Sequence, residues 1–101
     1  MIHVLAAIEL QPGTREKFLA EFHQIVPAVR AEAGCIEYGP AIEFDSGLPT
    51  APPREDFVMV VEKWESLPHL EAHLSAPHMV AYRPRVKDYV IRVGLQILKP
   101  A

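Results

Sequence analysis

The residues best placed to do chemistry lie between positions 60 and 83. Trp64 closes an apolar stretch that also carries Val60 and Glu62 at alternate positions, and His73 and His78 follow on the next helical segment. Imidazole titrates near neutral pH, so a histidine held at a pocket can take the proton of a phenol or an enol. The anion left behind is electron-rich. His78, just past a helix restart, is the candidate base. Tyr82 lies four residues on, on the same helix face, where its hydroxyl could orient a substrate oxygen. Trp64 offers an aromatic wall and one N–H donor. A Glu62 buried between sheet and helices would hold its proton more tightly and act as an acceptor. His73, Met79, Arg83 and Val60 complete the expected substrate contacts, with Arg83 able to steady an anion. Each residue also has a purely structural reading: a helix-capping His78, a core-edge Trp64, a half-buried Tyr82, a surface Arg83, or a Glu62 paired with Arg83. His69 and His73 stand at i, i+4, a metal-ligand spacing, but Leu70-Glu71-Ala72 between them does not make H-E-x-x-H. The apolar stripe Leu67, Leu70, Leu74 would leave His69 exposed and His73 at its border, so no metal site is expected.

These side chains must be positioned by a small set of elements. Ile2–Leu10 alternates as a strand, with Ile2, Val4, Ala6, Ile8 and Leu10 on one face and a second face that is also largely apolar. After the Gln11-Pro12-Gly13 turn, Thr14 is the expected N-cap of a helix whose stripe is Phe18, Leu19, Phe22, Ile25, Val26 and Val29. Pro27 should kink it, and Gly34 should take the left-handed conformation at its end. Residues 35–44 read as a strand and 45–56 as a proline-rich loop that could shape a pocket mouth. Phe57–Trp64 is the strongest strand. Ser66 caps the next helix, Ser75 is the expected cap where Ser75-Ala76-Pro77 restarts it, and Pro84 should end or bend it. Val90–Leu98 closes as a strand with Ile91, Val93, Leu95 and Ile97 on one face. The order β-α-β-β-α-β is the ferredoxin-like plan: one α+β domain spanning 1–101, a four-stranded antiparallel sheet with helices on one face. The other sheet face remains apolar in the first and third strands, which predicts a homodimer that buries it as a shared barrel.

Composition narrows the function classes. The 101 residues are half hydrophobic and carry a formal charge of −3, with no long basic run, so neither nucleic acid nor an anionic membrane is an expected partner. Cys35 is alone, which excludes a disulfide within the chain and a multi-cysteine zinc site. The N-terminus reads as a strand rather than a signal peptide, and the expected compartment is the cytoplasm.

Four segments in order, Ile8–Gly13, E-A-G-C-I-E-Y (residues 32–38), F-V-M-V-V-E-K-W-E-S (57–66) and H-L-S-A-P-H-M-V-A-Y (73–82), resemble the antibiotic biosynthesis monooxygenase domain, particularly its quinol-monooxygenase-like branch. The resemblance implies a dimeric α+β barrel and a cofactor-independent oxidation of a small aromatic quinol, anthrone or enolisable compound by O2. It also implies two alternatives on the same fold: a non-oxidative isomerase, or a binding and dimerisation domain without turnover. The haem-degrading branch places a ligand histidine nineteen residues after its tryptophan, where this chain has Arg83, and an asparagine in its first strand, where this chain has Ala6-Ala7. Haem degradation is therefore not expected. The anthrone-oxidising branch carries an asparagine where this chain has Val60. A pocket packed shut by Phe22, Met79 and Tyr82 would favour the binding domain.

Overall fold

The computed structural model describes residues 1–101 and runs β1 (Ile2–Leu10), α1 (Arg15–Arg30), β2 (Cys35–Ala41), β3 (Phe57–Trp64), α2 (Leu67–Leu74), α3 (Pro77–Val86) and β4 (Val90–Leu98). The strands form one antiparallel sheet in the order β2-β3-β1-β4, the ferredoxin-like arrangement, with the second helical segment broken in two. Alternation decides which residues enter the core. Val4, Ala6, Ile8 and Leu10 of β1 and Val58, Val60, Glu62 and Trp64 of β3 are all buried under the helices. Phe18, Phe22, Ile25, Val26 and Val29 of α1 meet them from above. No helix is long and apolar enough to cross a membrane.

Several local expectations are corrected. Thr14 stands at the N-cap of α1 but accepts no N–H; its hydroxyl donates to the Gln11 carbonyl at 2.8 Å and closes the preceding turn instead. α1 runs through Pro27, because only one backbone donor is lost near a helix end that the packed stripe holds down. α3 likewise continues through Pro84 to Val86. Ser66 does cap α2, accepting from the His69 N–H at 3.4 Å, but Ser75 ends α2 rather than starting α3, its hydroxyl donating to the Ala72 carbonyl. Ala76, in extended conformation, precedes Pro77 at the start of α3. β2 stops at Ala41 rather than Phe44, since Glu43 leaves the sheet to make a two-pronged pair with Arg54 at 2.9 and 3.1 Å. Arg54 also lies 3.6 Å over the Phe57 ring, pinning the far end of the proline-rich loop.

The largest difference concerns β4. Val93, Leu95 and Ile97 pair with Ile8, Ala6 and Val4, so they point to the helix side of the sheet. Yet they are about half exposed, at 50%, 51% and 50%. β4 is the edge strand beside β1, and the helices lean toward β2 and β3 and leave it uncovered. That gap between helices and edge strand is where a cavity opens. On the opposite sheet face Leu5 sits across from Val61 and Ala7 across from Met59, with no element of this chain over them.

Candidate active site

The cavity between the helices, β1, β3 and β4 has a volume of about 520 Å³ and is lined mainly by apolar side chains, 13 of 17. Its inner wall is aromatic. Phe22 stacks on Tyr38 with ring centroids 5.5 Å apart, and Phe18 and Phe22 meet the Tyr82 ring edge-on. Polar groups enter this wall at four points: Glu62, His73, Tyr38 and Tyr82. Arg83 and Lys87 stand at the exposed rim.

Glu62 sits on the buried face of β3 because that face alternates through Val58, Val60 and Trp64. It is 6% exposed, and burial pushes its carboxyl up to about 7. The Trp64 indole N–H, donating to it at 3.0 Å, opposes that rise, and the Glu32 carboxylate adds to it. Burial likewise raises the Tyr38 and Tyr82 hydroxyls, so both stay protonated and act as donors. Neither hydroxyl has a partner within the chain, and no buried side-chain oxygen or nitrogen is left unpaired, so both open to the cavity.

His73 lies on α2 and is 2% exposed. Its ring is shelved against Trp64, 4.7 Å between centroids, and edges onto Tyr38 at 5.4 Å. Its Nδ1 is 2.9 Å from Glu32 Oε2. A carboxylate only accepts, so Nδ1 carries the proton and Nε2 keeps its lone pair. Nε2 has no partner in the chain, and by the same accounting it faces the cavity. Burial lowers the proton affinity of this ring, outweighing the pull of Glu32, which leaves a neutral imidazole with a free lone pair at neutral pH. His78, at the start of α3, donates from Nε2 to the same Glu32 oxygen at 2.7 Å.

Of the residues expected from sequence, Val60, Glu62, His73, Met79, Tyr82 and Arg83 line one cavity. Trp64 and His78 do not reach it. Trp64 is wholly buried behind Glu62 and His73, and His78 connects to the cavity only through Glu32. Glu62 is not paired with Arg83, whose guanidinium donates to the Leu74 carbonyl instead. Leu67 and Leu74, expected in the core, are 46% and 41% exposed; α2 buries Leu70 and His73. His69 turns from His73 to Ser66, its Nδ1 2.6 Å from the hydroxyl, and packs over Gly34. None of residues 46–54 lines the cavity. Sequence reasoning missed Glu32 and Tyr38. Glu32 had one readable signal: a carboxylate just past a helix C-terminus opposes the helix dipole and calls for a cationic or donor partner.

The comparisons agree with this architecture. Residues 1–85 match the model of the family described as Antibiotic biosynthesis monooxygenase. The chain is 40% identical over 102 aligned positions to "Probable quinol monooxygenase YgiN" of Escherichia coli K12, covering 99% of this chain and 98% of that protein. Among solved structures, PA3566 from Pseudomonas aeruginosa superposes with a TM-score of 0.83 at 22% identity, covering 99% of this chain and 93% of that one. Rv0793 from Mycobacterium tuberculosis gives 0.80 at 25% identity, over 99% and 94%. Fold, motif order and full-length similarity coincide, and the chain belongs to the antibiotic biosynthesis monooxygenase family.

Proposed function

We propose that this chain is a cofactor-independent monooxygenase of a small aromatic quinol, or of an anthrone-like enolisable compound. The observation that carries the reading is a Glu-backed neutral imidazole opening into an apolar cavity of drug-sized volume, beside a second carboxyl poised near neutrality. The YgiN relative, named a probable quinol monooxygenase, supports the same chemistry. The cavity is lined rather than filled by Phe22, Met79 and Tyr82, which disfavours a binding domain without a ligand space.

In this mechanism the substrate ring lies against Phe22 and Tyr38. His73 Nε2 takes the proton of the phenol, or the carbon acid of an anthrone. Glu32 holds the ring in the required tautomer and stabilises the imidazolium that forms, and His78 steadies Glu32. The Tyr82 and Tyr38 hydroxyls donate to the oxygen that becomes negative. The substrate anion gives one electron to O2, and the radical pair joins as a carbon-bound peroxide. Loss of water then leaves one oxygen atom in the product as a new carbonyl or ring oxygen and the other in water. Trp64 acts indirectly, orienting Glu62 and supporting His73. A second reading has one observation in its favour: Glu62 and His73 together can shuttle a proton between two carbons of an enolisable ligand without O2.

We also propose that a second copy of the chain covers the outer sheet face, burying Leu5, Ala7, Met59 and Val61. The test of function is oxygen uptake by chelator-treated, flavin-free protein with a panel of quinols and anthrones. Uptake above the autoxidation blank that His73→Gln reduces supports the oxidative reading. Substrate conversion without uptake transfers the assignment to the isomerase.

A further inference from the structure

Glu32, His73 and His78 come from three separate pieces of chain: the turn after α1, the last turn of α2 and the first turn of α3. Their closest ligand atoms, one carboxylate oxygen and two imidazole nitrogens, all lie within 4.8 Å of one another. We propose that these three residues form a binding site for a divalent transition-metal ion of the zinc type. Two neutral imidazoles and a carboxylate are a donor set such ions favour, and three protein ligands leave a position for water.

The geometry is close to that of a site holding two protons, one on each histidine, in place of the metal. Ligands about 2.0–2.2 Å from a tetrahedral ion stand roughly 3.3 Å apart. The oxygen-to-nitrogen separations are 2.9 and 2.7 Å, slightly shorter than this, and the two nitrogens are no more than 4.8 Å apart. Loading the site requires the carboxylate to withdraw a little and the histidines to draw together by up to about 1.5 Å. His78, whose side chain is 27% exposed, has the freedom to make the second step, while His73 is fixed by Trp64 and Tyr38. Solvent reaches the same side, where the Glu32 side chain is 14% exposed, so water can supply the remaining ligand.

The site has a chemical consequence for the cavity. A metal on His73 Nδ1 displaces the proton there, and a neutral ring then carries it on Nε2. The nitrogen facing the substrate changes from acceptor to donor, so metal binding switches the base off. Only this last consequence rests on the reading of His73 as the base; the site itself stands on the ligand geometry.

The experiment is titration of untagged, chelator-stripped protein with Co2+, followed by its visible d–d absorption and by back-titration with Zn2+. The expected result is one equivalent per chain, with binding at least tenfold weaker in His78→Ala and in Glu32→Gln and unchanged in His23→Ala, whose histidine is exposed on α1. Zn2+ should raise the melting temperature of the wild type and not of His78→Ala, a readout independent of the spectrum. Absence of a band, or equal binding by wild type and His78→Ala, overturns the site. Stoichiometric Zn2+ should also lower turnover in the oxygen assay. A metal that binds with full turnover retained leaves the site standing and removes His73 as the base.

Discussion

Replacing Glu62 by glutamine tests the electrostatics of the cavity through stability, independently of any substrate. Burial raises this carboxyl from an ordinary 4.5 to about 7. The folded chain therefore binds more protons than the unfolded chain between those two values. Stability contributed through this group falls as pH rises across that window, because ionising the buried side chain is harder in the folded state. At about 1.36 kcal/mol for each tenfold change in proton affinity, the full cost above pH 7 is about 3 kcal/mol. Glutamine is nearly isosteric, keeps an oxygen to accept from the Trp64 indole and does not titrate. Any constant effect of the amide appears at every pH, so the difference between the two proteins isolates the titration. Urea or thermal unfolding of both proteins from pH 4 to pH 9 should show a gap that is flat below about 4.5. It should widen in favour of Glu62→Gln up to about pH 7 and then level off. For a domain of this size the change corresponds to a melting-temperature difference on the order of 10 °C. Parallel stability curves across the range would refute the claim that Glu62 is held uncharged by its surroundings.

The site and fold support further expectations. His73→Gln should lower turnover by about 10²-fold or more, while His78→Ala, which stands outside the cavity, should cost less. In chelator-treated wild type the acid limb of the kcat/KM profile should lie below pH 6.5, because burial lowers the proton affinity of His73; a limb near 7 that Glu62→Gln abolishes would make Glu62 the base. Gly34→Ala should destabilise by more than about 1–2 kcal/mol in urea unfolding, since its φ of +81° disfavours any side chain and the added Cβ would lie 2.3 Å from the His69 ring. Leu5→Glu should convert a wild-type dimer to monomer or aggregate by light scattering, and a variant that stays fully dimeric, or a wild type that is monomeric, would refute the covered-face argument.

How legible these features were in the sequence depended on how local their causes are. The bounds of β1, β3 and β4 follow from alternation and from flanking turn residues, and the structure places them where the alternation does. The end of β2 was not legible, because it is set by a pairing of Glu43 with Arg54 across a loop. The openness of β4 escaped notice for the same reason: its pattern reads as a core face, and only strand order makes it an uncovered edge. Within the site, the identity of most cavity residues was readable from the β3 alternation and the helix stripes. Which conspicuous residues stay out of the cavity was not. Trp64 and His78 have the more conspicuous chemistry in sequence, yet one is sealed behind the cavity and the other lies beyond Glu32, a contact spanning 46 residues.

The break between α2 and α3 explains how the polar cluster can exist at all. On a continuous α-helix, residues five apart point about 140° away from each other around the axis, so His73 and His78 could not converge on one atom. Ser75 and Ala76 stand outside both helices; Ala76, with φ −60° and ψ 142°, is extended, and Pro77 enforces this because a residue before proline avoids the helical region. The axis is thereby redirected, and two imidazoles from successive helices meet the same Glu32 oxygen. Glu32 in turn reaches that point because Gly34 takes a left-handed conformation and lets the chain pass tightly under His69 into β2. S-A-P and E-A-G, which look like ordinary punctuation between elements, are thus the residues that bring the polar cluster together. A proline-free, continuous helix with the same histidines would keep the fold's apolar stripe and lose the convergence.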